Sequence, residues 1–446
     1  MTLALGALAA LAFGCGLVYL LAQRPQRGLL LLAALSPLNG LLILVPKLPL
    51  GYWKEGVLGL TLLAAVLTVR RRVRTNPPMS VPWWPAAGAL AVLGSASALV
   101  TAGVVGLIAI KITFFYLVIG VILWLAPFDA RDRDQLVTVV MVMGPLTALV
   151  GLWQQVVGAQ YLVGLGYRYN DEVRTAGGLL RSFSTFNQPF PFGLYVMTAL
   201  LLGGAVALAE PRRRRNTVFL CLTPIMVAGM GVSIVRASYL GLILGVVWLG
   251  IHRYPRILVA TAAAGAAAVP VVLALPSAVL APLFSASSLG QRSDGWTGIV
   301  KDVLAHPLGQ GLGTSGSAAD RIAKSTGAAA VAVYQPDNYY VKMALELGPL
   351  GLWLFVLLLL SGLVSTLRAA RLLSGRDSAL ALGVSACMVA VAAASTVATY
   401  LEIFPLDVYF WLLLGVVGCA VAQHASGSTR SRSGRGAAAS RPMRVS

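Results

Sequence analysis

Charged side chains are scarce in this chain, and acidic ones are scarcer than basic ones. Only 11% of the 446 residues are charged, 58% are hydrophobic, and the mean hydropathy is +0.82. A soluble globule of this length needs far more polar surface to face water. The composition therefore excludes an ordinary soluble protein and favours a membrane protein.

Cysteine is also rare, with four residues in the whole chain. Cys15, Cys221, Cys387 and Cys419 all lie inside apolar runs, and their spacing is not that of metal ligands. Free cysteine in such a setting is usually a small packing residue. We therefore expect no cysteine-based metal centre.

What the chain has in abundance is apolar runs long enough to cross a hydrocarbon core. They predict about thirteen spans, because each run approaches the length that a transmembrane helix needs. The expected spans lie near 3–22, 28–45, 52–69, 83–101, 103–126, 135–157, 189–209, 217–235, 238–251, 257–280, 349–367, 378–399 and 408–424. We therefore expect an all-α integral membrane protein with about 12–13 transmembrane helices.

The net charge of +19 follows the loops rather than one surface. Basic residues concentrate in alternate loops, at 24–27, 70–74, 131–133, 212–215, 253–256 and 368–376. The positive-inside rule puts those loops in the cytoplasm and the loops between them on the outer side. The opening segment is then outside and the C-terminus inside. Attraction to membrane lipids accounts for the charge, so we expect no nucleic-acid partner.

Three regions follow from this pattern. Residues 1–180 form N-terminal transmembrane helices, and residues 181–424 form a membrane core with a large, partly helical extracytoplasmic loop at 281–348. The Ser-, Gly-, Ala- and Arg-rich stretch 425–446 reads as a disordered basic cytoplasmic tail.

The outer loop contains two predicted short helices separated by glycines. Ser293 caps an amphipathic helix that His306-Pro307 ends, because proline pushes the preceding residue out of the α region. Glycines at 309, 311 and 313 permit a close approach of backbone to a ligand. Asp337 caps a second helix, which Gly348 and the following proline break.

Basic residues on the outer side need another explanation, because the positive-inside rule does not account for them. Arg236 stands alone between two apolar runs, where an arginine costs about 2.5–3.5 kcal/mol on insertion scales. Such a residue usually faces protein interior, a cavity or a ligand. Arg181 and Arg292 are further outer arginines. The outer loops contain no DxD-like or histidine-rich metal site, so we expect neither metal nor cofactor.

Five motifs in this region together resemble the O-antigen ligase and O-antigen polymerase superfamily. They are RSFSTFNQP at 181–189, SIVRAS at 233–238, RSDGW at 292–296, HPLGQGLG at 306–313 and DNYY at 337–340 followed by LELG at 345–348. The order of features is similar too: many spans, a large late outer loop and a few closing helices. The resemblance covers most of the region from Arg181 to Leu352.

The resemblance implies a GT-C-like glycosyltransferase acting at the periplasmic or external face of a bacterial inner membrane. It would transfer a glycan from a polyprenyl-diphosphate carrier to a sugar hydroxyl without nucleotide sugar, metal or other cofactor. In polymerases of the family the acceptor is another lipid-linked repeat unit, and in ligases it is lipid A core. The implied partners are that lipid-linked glycan, the acceptor, membrane lipids and a chain-length regulator.

Residue roles follow from this chemistry. Arginine forks match diphosphate oxygens bidentately and never lose their charge, so Arg236, Arg292 and Arg181 are the candidate diphosphate clamp. The attacking hydroxyl needs a base, for which Asp337 and His306 are the candidates. The candidate acceptor-binding residues are Asn338, Trp296 and Tyr340.

The chain departs from the ligase pattern at one position. Ligases of the family are expected to have His before Asn, and this chain has Asp337 before Asn338. The difference favours the polymerase branch, making O-antigen or exopolysaccharide, over the ligase.

Each candidate also has a structural interpretation. Asp337 is well suited to be a helix N-cap, His306 to bond a backbone carbonyl, and Arg236 to pair with Glu402 or Asp407. Lys342 and Glu346 have the spacing of an exposed helix pair. A lipid-linked oligosaccharide transporter or flippase is an alternative of another class, but the expected internal repeat is absent from the sequence.

Overall fold

The computed structural model describes residues 23–45, 50–71, 77–273, 301–326 and 334–439, together with residues 14, 16, 18, 19 and 21. Within this part of the chain most residues belong to helices, and the sheet is a two-stranded hairpin. The prediction of an all-α membrane protein is therefore confirmed.

The helices are named in chain order. They are α1 (Gln26–Leu35, continued by a 3-10 segment to Leu44), α2 (Trp53–Arg71), α3 (Trp84–Ala102), α4 (Leu107–Phe114), α5 (Val118–Leu125), α6 (Ala130–Gly164), α7 (Pro189–Ala209), α8 (Arg214–Gly231), α9 (Arg236–His252), α10 (Pro255–Leu273), α11 (Gly316–Thr326), α12 (Tyr339–Leu372), α13 (Gly375–Ala394) and α14 (Leu406–Ala439). The strands are β1 (Arg174–Ala176) and β2 (Leu179–Arg181).

Seven helical segments of the described residues are long and apolar enough to cross a membrane. One of them, Trp84–Leu125, has 42 residues and contains two of the predicted spans. The chain reverses at Gly103, since Gly106 lies against Ala98 and Phe114 against Gly94. The helices Arg236–His252 and Pro255–Ala267 are apolar but shorter.

Every predicted span from 28–45 onward overlaps a helical segment. The span 257–280 is described only to residue 273, and the first span, at 3–22, falls mostly outside the described residues. The count of about thirteen nevertheless exceeds the seven that meet the criteria of length and composition. The GT-C-like arrangement of the outer loop stays a prediction.

Three helices, α7, α13 and the first half of α14, form the centre of the bundle and are buried on nearly all sides. Small residues bring the helices close together: Gly383 of α13 faces Leu202 of α7, and Gly229 of α8 faces Ala148 of α6. This is the packing that membrane helices favour. The outward surfaces are apolar, with Val100, Val156 and Ile251 strongly exposed, as expected for contact with lipid.

One end of the bundle is held by arginine–carboxylate pairs, and we call it the arginine end. The pairs join Arg24 to Asp129 and Asp132, Arg133 to Asp377, Arg213 and Arg215 to Asp134, and Arg376 to Glu210. They connect loops that the sequence assigns to one side of the membrane. That these loops meet at one end of the bundle agrees with the alternation of basic loops along the sequence.

The opposite end contains the remaining loops, and α7 shows the distance between the two. Its 21 residues rise about 31 Å, close to the thickness of a bilayer core. It begins beside Gln188 and ends beside Glu210, which pairs with Arg376 at the arginine end.

The tail differs from its prediction. Helix α14 continues through Ala439, although the sequence predicts disorder from residue 425. Alanine and arginine are good helix formers, so a helix already started within the bundle can propagate into them. Residues 440–446 lie outside the described part.

Candidate functional site

The most polar cavity described lies at the end opposite the arginine end and has a volume of about 610 Å³. Its walls come from the starts of α2 and α7, from α4, from the segment before α12 and from the loop between α13 and α14. The charged residues in its lining include Lys54, Glu55, Lys111, Arg174, Asp337 and Glu402. Both signs of charge are therefore present in one water-accessible space within the bundle.

Two lysines line one wall of the cavity. Lys111 of α4 pairs with Glu55 of α2, with 2.9 Å between Nζ and Oε1. Lys54 Nζ lies 4.1 Å from the centre of the Phe404 ring. Lys111 is isolated in an apolar run of the sequence, and the cavity explains it: the lysine faces a polar space rather than lipid.

The inner wall contains a buried ionic cluster of Lys342, Glu346 and Glu402. Lys342 Nζ lies 3.0 Å from Glu402 Oε2 and 3.4 Å from Glu346 Oε1, and it donates to the Ser315 carbonyl oxygen at 3.1 Å. Glu402 also accepts from Thr113 at 3.2 Å and lines the cavity. Lys342 and Glu346 are 0% exposed, so their prediction as an exposed helix pair is wrong.

Ser315 connects this cluster to the glycine-rich segment. Its backbone N–H and its hydroxyl both donate to Glu346 Oε1, at 3.0 and 2.8 Å. Gln310 and Gly311 donate from their backbone to the carbonyls of Leu345 and Glu346. The glycines thus dock the segment against α12. A Cβ at Gly309 would meet the Glu346 carbonyl, so the close approach that this glycine permits is an approach to α12.

The β1–β2 hairpin contributes Arg174 to the lining of the cavity, and it sets two arginines directly opposite each other. Arg174 is the register partner of Arg181, and Arg174 lines the cavity. Like charges at paired positions destabilise a hairpin unless an anion compensates them. Arg181 donates to the carbonyls of Ser233 and Ile234 at 3.5 and 3.3 Å, and its guanidinium lies 5.4 Å from the centre of the Phe190 ring.

Two other arginines lie near Arg181 and act on its charge. Burial lowers the pKa of Arg181, and the charges of Arg174 and Arg236 lower it further. Arg174 and Arg236 therefore both lie close enough to Arg181 to repel its charge. Such a group is suited to bind a multiply charged anion, because guanidinium forks pair with phosphate oxygens.

The predicted base Asp337 lines this cavity, and its side chain is exposed. It is not the N-cap of α12. That residue is Asn338, whose Oδ1 accepts from the backbone N–H groups of Tyr340 and Val341 at 2.9 and 3.2 Å. The prediction that Asp337 caps this helix is therefore wrong, whereas the acceptor-binding role of Asn338 stays a prediction.

Two other predicted site residues have structural roles. Tyr340 donates its hydroxyl to the Ala392 carbonyl at 2.9 Å, and its ring lies against Phe355. His306 is exposed, is not among the residues lining the cavity, and has its Nδ1 3.1 Å from the Asp302 carbonyl oxygen. That is the backbone contact predicted for His306 as a structural residue. Asp337 lines the cavity and His306 does not, so the two candidate bases do not share this site.

Of the remaining candidate residues, Arg236 is described by the structure, and Arg292 and Trp296 are not. Arg236 is the exposed first residue of α9 and lies near Arg181, but it does not line the cavity. Glu402, one of the two carboxylates predicted as its alternative partners, is paired with Lys342. Arg292 and Trp296 lie outside the described residues, as does the start of the helix predicted from Ser293.

Sequence reasoning missed the buried cluster and the amides at the cavity mouth. Lys342 and Glu346 were four residues apart among apolar neighbours, which signals a buried helix face as much as an exposed one. Asn187 and Gln188 both line the cavity within the quoted 181–189 motif. No group of three or more His, Cys, Asp or Glu is placed like metal ligands in the described ranges.

Comparison with known proteins gives no family. No protein-family model matches the chain, and no curated protein matches it at a significant level.

Proposed function

We propose that this protein is a membrane glycosyltransferase that polymerises polyprenyl-diphosphate-linked oligosaccharide repeat units into O-antigen or exopolysaccharide. The reaction takes place in the polar cavity, at the external face of a bacterial inner membrane, with the C-terminus in the cytoplasm. The observation that carries the proposal is the cavity, which combines a charged interior with three arginines near its rim.

The arginine group supplies the donor half of the reaction. Charge grows on the diphosphate as the glycosidic bond breaks, and fixed guanidinium groups aimed at it stabilise the transition state more than the ground state. Arg174 and Arg181 already repel each other across the hairpin. The repulsion raises the free energy of the protein without ligand. A bound diphosphate relieves it, and this relief adds to the binding affinity.

The acceptor half depends on Asp337. Its carboxylate lines the cavity, and the helix cap is provided by Asn338. A carboxylate there can take the proton from an acceptor hydroxyl as that oxygen attacks the anomeric carbon. The Asp-Asn sequence at this position also supports a polymerase over the alternative of a ligase acting on lipid A core.

The test of the rim is a pair of double variants in cells that make the polymer. We expect Arg174→Gln/Arg181→Gln to lower polymer at least about tenfold, because each charge-assisted bond contributes more than a kcal/mol. Single lipid-linked repeat units accumulate at the same time. The control Arg212→Gln/Arg256→Gln removes the same charge at the arginine end and leaves chain length unchanged. Full-length polymer from the rim variant at normal membrane abundance contradicts the assignment.

Arg292 and Arg236 extend the clamp through the sequence resemblance. We expect Arg292→Lys to be nearly as defective as Arg292→Ala, because a point charge cannot replace a bidentate fork. Full polymer from the lysine variant removes Arg292 from the clamp.

A transporter of lipid-linked oligosaccharides is the second candidate, favoured by the buried ionic cluster and by the broken helix from Gly103 to Leu125. Discontinuous helices and interior charges are common at transporter substrate sites. The amount of repeat unit at the outer face separates the two. Loss of transport depletes it, whereas loss of polymerisation makes it accumulate.

A further inference from the structure

A second cavity, of about 620 Å³, lies at the arginine end and is separate from the polar cavity. It is a groove between the C-terminal part of α12, helix α14 and the segment from Ser80 to Trp83. Its walls are mostly apolar and include Trp83, Val364, Leu414 and Val421. We call it the arginine-end groove.

The hydroxyl groups in the groove leave little unpaired polarity. Ser361 and Ser365 donate to the carbonyls of Leu358 and Gly362, and Thr366 donates to the Gly362 carbonyl. The deep part of the groove therefore offers an apolar wall. From Ser361 to Arg371 this wall runs about 15 Å along α12.

Two arginines line the groove where it opens at the arginine end of the bundle. Arg368 and Arg371 line it, are exposed, and are three residues apart, so they project from the same side of α12. Neither has a carboxylate partner among the described residues. The acidic residues of this end, Asp129, Asp132, Asp134, Glu210 and Asp377, are all paired with other arginines.

Asp294 is the one acidic residue of the sequence that lies outside the described ranges. Within the described residues, no carboxylate thus balances the charge of these two cations beside the apolar groove.

We propose that the arginine-end groove binds an anionic phospholipid, with its phosphate against Arg368 and Arg371 and an acyl chain between α12 and α14. Guanidinium forks suit a phosphate, and basic pockets between helices at a membrane surface suit anionic headgroups. The apolar wall favours a lipid over a free anion, because a soluble phosphate leaves it unfilled. This proposal does not depend on the glycosyltransferase activity.

The test measures lipid binding to the purified full-length protein by native mass spectrometry in detergent. The probes are phosphatidylglycerol, phosphatidylcholine and inorganic phosphate. We expect phosphatidylglycerol to be retained preferentially, and Arg368→Gln/Arg371→Gln to weaken it about thirtyfold. Arg212→Gln/Arg256→Gln removes equal charge outside the groove and leaves binding unchanged.

A third variant tests the groove without changing charge. Ser365→Phe fills the space beside α12 and is expected to abolish phosphatidylglycerol binding, while its melting temperature in phosphatidylcholine matches that of the unchanged protein. Equal loss in both arginine double variants overturns the proposal, as does normal binding by Ser365→Phe. Displacement of the lipid by inorganic phosphate also overturns it, because the site then recognises a free anion.

Discussion

Lys342 shows how one residue can fix the inner wall of the polar cavity. Its ammonium group is 0% exposed and lies between Glu402 and Glu346. Taking three charged groups out of water is expensive, and only their mutual attraction and hydrogen bonds offset that cost. The cluster therefore depends on every member being present.

We expect Lys342→Met to lower the free energy of unfolding by about 3–5 kcal/mol, because it leaves two buried carboxylates without a counter-charge. The measurement is thermal and denaturant unfolding in detergent, with Lys324→Met on an exposed position as control. Adding Glu346→Gln to the lysine variant should recover part of the loss. A Lys342→Met protein as stable as the control contradicts the structural role of the cluster.

Asn338 and Asp337 are adjacent but differ in role. Asn338 Oδ1 caps α12, and aspartate caps a helix about as well as asparagine does. We therefore expect Asn338→Asp to fold and to make polymer, whereas Asn338→Ala loses about 1 kcal/mol of stability. Unfolding and glycan chain length measured on the same variants check this. Loss of polymer from a stable Asn338→Asp protein shows that the side-chain amide contacts substrate.

At the scale of elements, helix breakers were the most predictable feature of the sequence. The helix before His306 ends at residue 305, and α12 is interrupted at Gly348, where φ is 68°. Proline and glycine act through the local backbone, so their effects are visible in sequence. The N-cap at Asn338 could not be predicted from the sequence. Asp337 and Asn338 are equally good cap residues, and only the side-chain contacts in the structure decide between them.

The site was less predictable for a related reason. Asp337 and Arg181 stood out as charges on the outer loops, and both lie at or beside the cavity. Glu402, Lys342 and Glu346 become a cluster only through contacts across the bundle, including Thr113 to Glu402 over 289 residues. Spacing along one helix gives no information about such contacts.

Gly309 tests how the glycine-rich segment is held. Its φ is 81°, and a Cβ there would meet the Glu346 carbonyl. We expect Gly309→Ala to lower the free energy of unfolding by about 1–3 kcal/mol, because strain and crowding act together. Gly204→Ala in α7 is the matched control, since a Cβ there meets nothing within 4 Å. Equal stabilities from unfolding curves of the two variants show that the segment does not pack there.

At the scale of the whole molecule, the two ends carry different chemistry. The arginine end contains the ion pairs between loops, and the other end contains the polar cavity. This asymmetry agrees with the loop charges of the sequence, which the positive-inside rule interprets as cytoplasmic at the arginine end. The alternation of basic loops along the sequence was enough to predict that these loops share one end, whereas the side of the membrane that this end faces stays a prediction.

Labelling of introduced cysteines tests this orientation. We expect a membrane-impermeant thiol reagent to label Gln335→Cys in intact cells and to label Arg212→Cys only after the membrane is opened. Both positions are exposed, one at the cavity and one at the arginine end. The unsubstituted protein gives the background from its own cysteines. The reverse pattern places the cavity in the cytoplasm and removes it as an external site.

The most direct measurement is polymerisation by the purified protein, reconstituted in vesicles and supplied with a polyprenyl-diphosphate-linked oligosaccharide as both donor and acceptor. We expect a ladder of products differing by one repeat unit. Asp337→Asn should reduce it at least about a hundredfold, because the hydroxyl loses its base. Asp302→Asn, at an exposed position outside the cavity, should give the same ladder as the unchanged protein. A folded protein that makes no ladder, or an Asp337→Asn variant that makes a full one, contradicts the account.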